Sequence, residues 1–171
     1  CASSEARAAG RSVTDLGGLL AALVDQGVLF IVVGGAAATA HGASRLTQAI
    51  DVVYARDTDN LERLARALGP LSPYPRGAPA GLPFVFDAQT LRNGANFTLT
   101  TRLGDIDLLA EITGGGTFTT LRPATIVLHA FGREVHCLDL PKFIEVKRAA
   151  GRPKDFEVIA ELEVLLEERG G

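Results

Sequence analysis

The chain has 171 residues, 47% of them hydrophobic and 22% charged, with a formal net charge of -3 at pH 7. That supply of apolar material suits one well-packed core, and no apolar run reaches the roughly 20 residues of a membrane helix, since Gly34 and Gly35 interrupt the richest stretch. The acidic balance excludes indiscriminate attraction to nucleic acid, so any contact with RNA has to come from a local basic patch.

Residues 1–12, mostly Ala, Ser, Arg and Glu without apolar periodicity, read as a flexible tail, and 13–171 as a single domain. Leu16, Leu19, Leu20, Leu23 and Val24 recur at three- and four-residue steps, which predicts a helix capped by Thr14 and closed by Gly27. Val28 to Val33 is a β-branched and aromatic run of the kind found in a strand covered on both faces. Beyond the diglycine, Ala36 to His41 can open a short helix, and Ile50 to Tyr54 returns as a strand. Thr58 to Leu68 carries Leu61, Leu64, Ala65 and Leu68 on one side, with Gly69 and Pro70 as its stop. The prolines and glycines from Gly69 to Pro83 predict a surface loop. Further strands are expected at Phe97 to Thr101, Ile106 to Ile112, Ala124 to Ala130 and Glu134 to Leu138. Helices over about Pro141 to Ala150 and from Pro153 to Glu168 finish the chain. His129 and His136 fall on apolar strands, where a satisfied core imidazole is expected rather than a ligand, and His41 reads as a packing or capping residue. Cys1 and Cys137 match no metal spacing and make a poor disulfide framework, which fits a reducing, cytoplasmic setting.

A strand, Gly34-Gly35 and a helix start would expose backbone N–H groups to which a phosphate can bind, although a diglycine is more often only a tight turn. Residues 49 and 51 alternate on a strand and share a face, as two carboxylates gripping a divalent cation must. Asp107, between Ile106 and Leu108, faces away from two core residues, where a carboxylate has to be solvated, paired or metal-bound. Lys142, Lys147, Arg148, Arg152 and Lys154 form the densest basic cluster, and such a cluster can equally be a solvated helix face.

The string from Val32 to Val53, VVGGAAATAHGASRLTQAIDVV, follows the order strand, GG, helix, HG, x, x, R, x, T, x, D, x, D. Together with IDLL and GREVHCLDLPKFIEVKRAAGRPKD downstream, it resembles the small nucleotidyltransferases of the DNA-polymerase-beta superfamily, which include bacterial toxin-antitoxin and abortive-infection toxins. The resemblance runs from roughly Val28 to Leu165. It implies an α+β fold, a mixed sheet flanked by helices with further helices at the C-terminus. It also implies transfer of a nucleoside monophosphate from an NTP, assisted by two Mg2+ ions, to an acceptor. The acceptor favoured by the resemblance is the 3' end of tRNA, with a protein or small-molecule hydroxyl as the alternative, and a separate antitoxin protein would restrain the enzyme. On this reading position 49, Asp51 and Asp107 hold the metal. Lys147 reaches the triphosphate, and Gly34, Gly35, Arg45, Thr47, Lys154 and Asp155 contact the nucleotide. The chain departs from the pattern at one residue: Ala49 stands where the first aspartate of D-x-D is expected, which implies an impaired enzyme or a degenerate binding module.

Overall fold

The computed structural model describes residues 14–34 and 49–169, without the side chains of residues 154 and 155. The tail read at 1–12 and the short helix read at Ala36 to His41 lie outside the described residues. Asp15, one residue after the cap expected from sequence, opens α1 (Leu16–Asp25) by accepting a hydrogen bond from the Gly18 N–H at 2.9 Å. Asp57 does the same for α2 (Thr58–Leu68), accepting from the Asn60 N–H at 3.1 Å.

Nine strands are described: β1 (Phe30–Val32), β2 (Ala49–Tyr54), β3 (Tyr74–Pro75), β4 (Phe97–Thr101), β5 (Gly104–Leu109), β6 (Glu111–Ile112), β7 (Gly116–Thr117), β8 (Thr125–Ala130) and β9 (Arg133–Leu138). Seven of them form one mixed sheet in the order β3-β4-β5-β2-β1-β9-β8, and β6 and β7 make a separate two-stranded ribbon. The β2–β5 and β1–β9 pairings are parallel, and the other pairings of the large sheet are antiparallel. Four more helices lie among the described residues: α3 (Ala88–Asn93), α4 (Phe118–Leu121), α5 (Leu140–Ala150) and α6 (Pro153–Glu168). This is the α+β architecture expected, a mixed sheet with flanking helices and a C-terminal helix pair. No helix among the described residues is long and apolar enough to cross a membrane.

Three local expectations need correction. The strand expected over Ile106 to Ile112 is broken at Ala110, whose N–H leaves the ladder to donate to Asn96 Oδ1 at 2.8 Å, so β5 and β6 belong to different sheets. The stretch from Gly69 to Pro83 is not loop throughout. A 3-10 turn over Gly69–Leu71 leads into β3, which pairs with β4 at the edge of the sheet, where a proline is tolerated because one side of the strand needs no partner. His129 and His136 are exposed rather than buried in the core, because β8 and β9 form the outer hairpin and alternation turns them to solvent while Val135 and Cys137 go inward. His129 Nε2 meets Glu134 Oε2 at 3.3 Å.

One buried polar side chain ties the N-terminal half together. Asn60, fully buried on α2, donates through Nδ2 to the carbonyls of Leu29 and Ala55 and accepts the Leu29 N–H on Oδ1 at 2.7 Å. It thereby satisfies backbone groups at the entry to β1 and the exit of β2. Asn60→Ala leaves those groups without partners, so equilibrium unfolding in urea should show a loss of about 2–4 kcal/mol. A loss below about 1 kcal/mol would mean that water replaces the amide.

Candidate active site

The parallel register of β2 with β5 sets Ala49 beside Asp105 and Asp51 beside Asp107. Because side chains alternate along each strand, Ile50, Val52, Ile106 and Leu108 are wholly buried on one face. The opposite face carries a block of four positions, three of them carboxylates and the fourth the methyl group of Ala49. The two aspartates singled out in the sequence are therefore neighbours on one face of one sheet, in direct side-chain contact.

Burial raises the Asp51 carboxyl to about 7, and the hydrogen bond to Asp107 and that residue's negative charge push in the same direction. Lys147 and then Arg76 oppose the rise through their positive charges, which places both cations within electrostatic reach of Asp51. The backbone over this carboxylate is pared to a minimum at Gly34. A Cβ built there would lie 1.8 Å from Asp51 Oδ2, so any larger residue would displace the carboxylate. Val33, just before it, is anchored by its N–H to the Asp51 carbonyl at 2.9 Å.

A cleft of about 400 Å³ opens beside Asp51, between Val33 and Gly34, the segment Leu109–Thr113, and Val146, Lys147, Ala150 and Arg152 at the end of α5. Asp139 starts that helix by accepting from the Lys142 N–H at 2.8 Å, and Gly151, at φ 65°, ends it in the left-handed conformation. The Lys147 stem is steadied by its ammonium lying 5.5 Å from the centre of the Phe143 ring. The basic cluster of the sequence does not act as one surface. Lys142 is committed to Glu145 and Arg148 to Glu163, the latter at 2.8 Å, whereas Lys147 and Arg152 line the cleft. Helical periodicity explains the separation, since adjacent residues of a helix project about 100° apart. Gly35, Arg45 and Thr47 lie outside the described residues. Lys154 and Asp155 open α6, just beyond Arg152.

Sequence reasoning missed Arg76 and Asp105. Arg76 follows β3, where its backbone N–H donates to the Thr98 carbonyl at 2.9 Å. Its side chain reaches over the sheet face to place Nη2 2.7 Å from Asp107 Oδ1 and Nε 3.2 Å from Asp105 Oδ2. The proline- and glycine-rich setting of Arg76 gave no signal, and Asp105 was visible only as the first carboxylate of Gly104-Asp105-Ile106-Asp107.

Asp51 and Asp107 present hard oxygen donors from adjacent strands, crowded enough to share a proton. A magnesium ion uses one or two carboxylates and completes its shell with water and substrate phosphates, so this pair fits one such ion. Ala49 offers no oxygen for a second. Among the described residues no group of three His, Cys, Asp or Glu side chains is arranged to hold a metal ion.

Of the solved structures, one similar to this chain is a Thermotoga maritima protein provisionally designated a nucleotidyltransferase, with a TM-score of 0.53 over 84% of this chain and 86% of that one. The two chains share a fold. At 13% identity the likeness lies in backbone architecture. No family model matches the sequence, and no curated protein matches it either.

The raised Asp51 carboxyl has a definite sign in stability. Between pH 3.8 and about 7 the folded chain holds a proton that the unfolded chain releases, so this group weakens the fold as pH rises across that window and changes nothing above it. Without added divalent ions, Asp51→Asn should flatten the fall in unfolding free energy between pH 5 and pH 8. It should also raise the melting temperature at pH 8 by about 2–4 °C, the equivalent of roughly 1 kcal/mol in a domain of this size. A variant that melts below the parent chain at pH 8 would instead make the Asp51 carboxylate a stabilising group.

Proposed function

We propose that this chain transfers a nucleoside monophosphate from an NTP to an acceptor hydroxyl, with RNA as the acceptor and the 3' end of tRNA as its target. On this reading it acts as the toxin of a toxin-antitoxin system, restrained by a cognate antitoxin protein. The observation that carries the chemistry is the Asp51–Asp107 pair on adjacent parallel strands, with Asp51 lining a cleft together with Gly34, Lys147 and Arg152. The order of motifs from Val32 to Val53 supports the acceptor and the biological role.

In the reaction the acceptor oxygen forms a bond to the α-phosphorus, the bond to the β-phosphate oxygen breaks, and pyrophosphate leaves. Asp107 takes the hydroxyl proton as the new bond forms, and Lys147 holds the triphosphate as a compact point charge. The missing side chain at Gly34 leaves room for the Asp51 carboxylate to sit against the backbone at the edge of the cleft. Magnesium, held between Asp51 and Asp107, would supply charge neutralisation at the transferring phosphorus. Ala49 lacks the carboxylate that a second ion needs, so the chain as it stands is an impaired catalyst. The same residue favours a second reading, a non-catalytic module that retains nucleotide binding.

Incubating the chain and its Ala49→Asp variant with each labelled NTP, total RNA and magnesium separates these readings. Ala49→Asp should raise label transfer into RNA by at least about tenfold, equivalent to roughly 1.4 kcal/mol of barrier. Equal and robust labelling by both forms would remove position 49 from the mechanism, and labelling of a protein or small molecule alone would reassign the acceptor. In the Ala49→Asp background, Lys147→Ala should cut transfer by about tenfold or more while moving the melting temperature far less, because the Lys147 head lines the cleft rather than the core. Transfer at the parent rate would show that Lys147 does not touch the triphosphate.

A further inference from the structure

Resting on the nucleotidyl-transfer reading, we propose that Arg76 is a triphosphate-binding residue, and that it carries at this site the positive charge that a second divalent ion would bring. The four-position block on β2 and β5 is asymmetric. Ala49 supplies no ligand, yet its neighbour Asp105 brings a carboxylate that the transfer chemistry does not use. Arg76 lies against that surplus charge.

The guanidinium is held in place by directed contacts. Nη2 donates to Asp107 Oδ1 at 2.7 Å and to the Leu99 carbonyl at 2.8 Å, so the group is fixed by both the sheet backbone and a site carboxylate. Nε is buried and makes no hydrogen bond, so its attraction to Asp105 Oδ2 at 3.2 Å is electrostatic. Nη1 has no hydrogen-bond partner among the described residues, and the side chain is 31% exposed. A planar fork with one edge anchored and a donor left over is suited to a phosphate oxygen.

The position also matters. The positive charges of Lys147, on α5, and Arg76, after β3, both act on Asp51. A polyphosphate lying across the Asp51–Asp107 pair would meet a cation from each element. With one metal ion at the carboxylates, Arg76 and Lys147 would together offset part of the polyphosphate charge where a second ion is missing.

Inorganic triphosphate is the probe, because it carries the proposed contact without any base or ribose. Calorimetric titration with Mn2+ present, and electron paramagnetic resonance counting of bound Mn2+, should give one ion per parent chain and two per Ala49→Asp chain. Arg76→Gln should weaken triphosphate binding by at least about tenfold, as loss of a charge-assisted bond to phosphate would. If Arg76→Gln fails to fold, Arg76→Lys serves instead, with a loss of at least about threefold expected because the ammonium cannot reproduce the fork. Triphosphate binding by the folded variant at parent strength, or two ions bound by the parent chain, would overturn the proposal for Arg76 and leave nucleotidyl transfer standing. A parent chain that binds neither triphosphate nor any NTP would overturn both.

Discussion

Pairing β2 with β5 in parallel places two carboxylates side by side on a sheet whose other face is sealed by Ile50, Val52, Ile106 and Leu108, and most of the local chemistry follows from that. Two like charges at that separation, partly withdrawn from water, cannot both ionise cheaply. The protein meets the cost in three ways. Asp51 is held near a carboxyl value of about 7, Arg76 is bonded to Asp107, and Lys147 reaches in from a separate helix. Each device sets a cation, or a proton in its place, against the paired carboxylates. The apolar layer beneath pins the register, since a slip of either strand by one residue would turn its aspartate into the core.

Asp51 and Asp107 were legible in the sequence because each sits between core-forming residues, and alternation alone fixes the face it must take. Lys147 was singled out by the family resemblance, whereas the basic cluster around it could not be divided from sequence, because Arg148 is drawn off by Glu163 only once α6 is in place. Arg76 was not legible. It lies among prolines and glycines that carry no periodicity, and only the two-residue pairing of β3 with β4 brings it over the carboxylates. Asp105 stood in plain view beside Asp107 and still meant nothing, because its role depends on which residue of β2 lies opposite.

The two histidines failed for a related reason. A run such as Thr125–Ala130 looks apolar as a string, but an outer hairpin buries only alternate residues, and strand order is not written in any local stretch. Helix limits, set by Asp15, Asp57 and Asp139 as caps, depend on near neighbours and were recovered to within a residue or two. Tertiary register depends on distant ones.

The place of β1 in the sheet has a consequence for the order of assembly. β1 pairs with β2 on one side and with β9 on the other, so the central ladder joins an early strand to one of the last. The cleft is closed by α5, which follows β9 directly. A chain emerging from the ribosome can pair β1 with β2, but the cation-lined wall waits until nearly all residues are available. Long-range closure of this kind is slow compared with forming a hairpin. During synthesis the acidic pair is therefore built before the basic side chain that complements it from α5, and a nascent or truncated chain carries the carboxylates without that counter-charge.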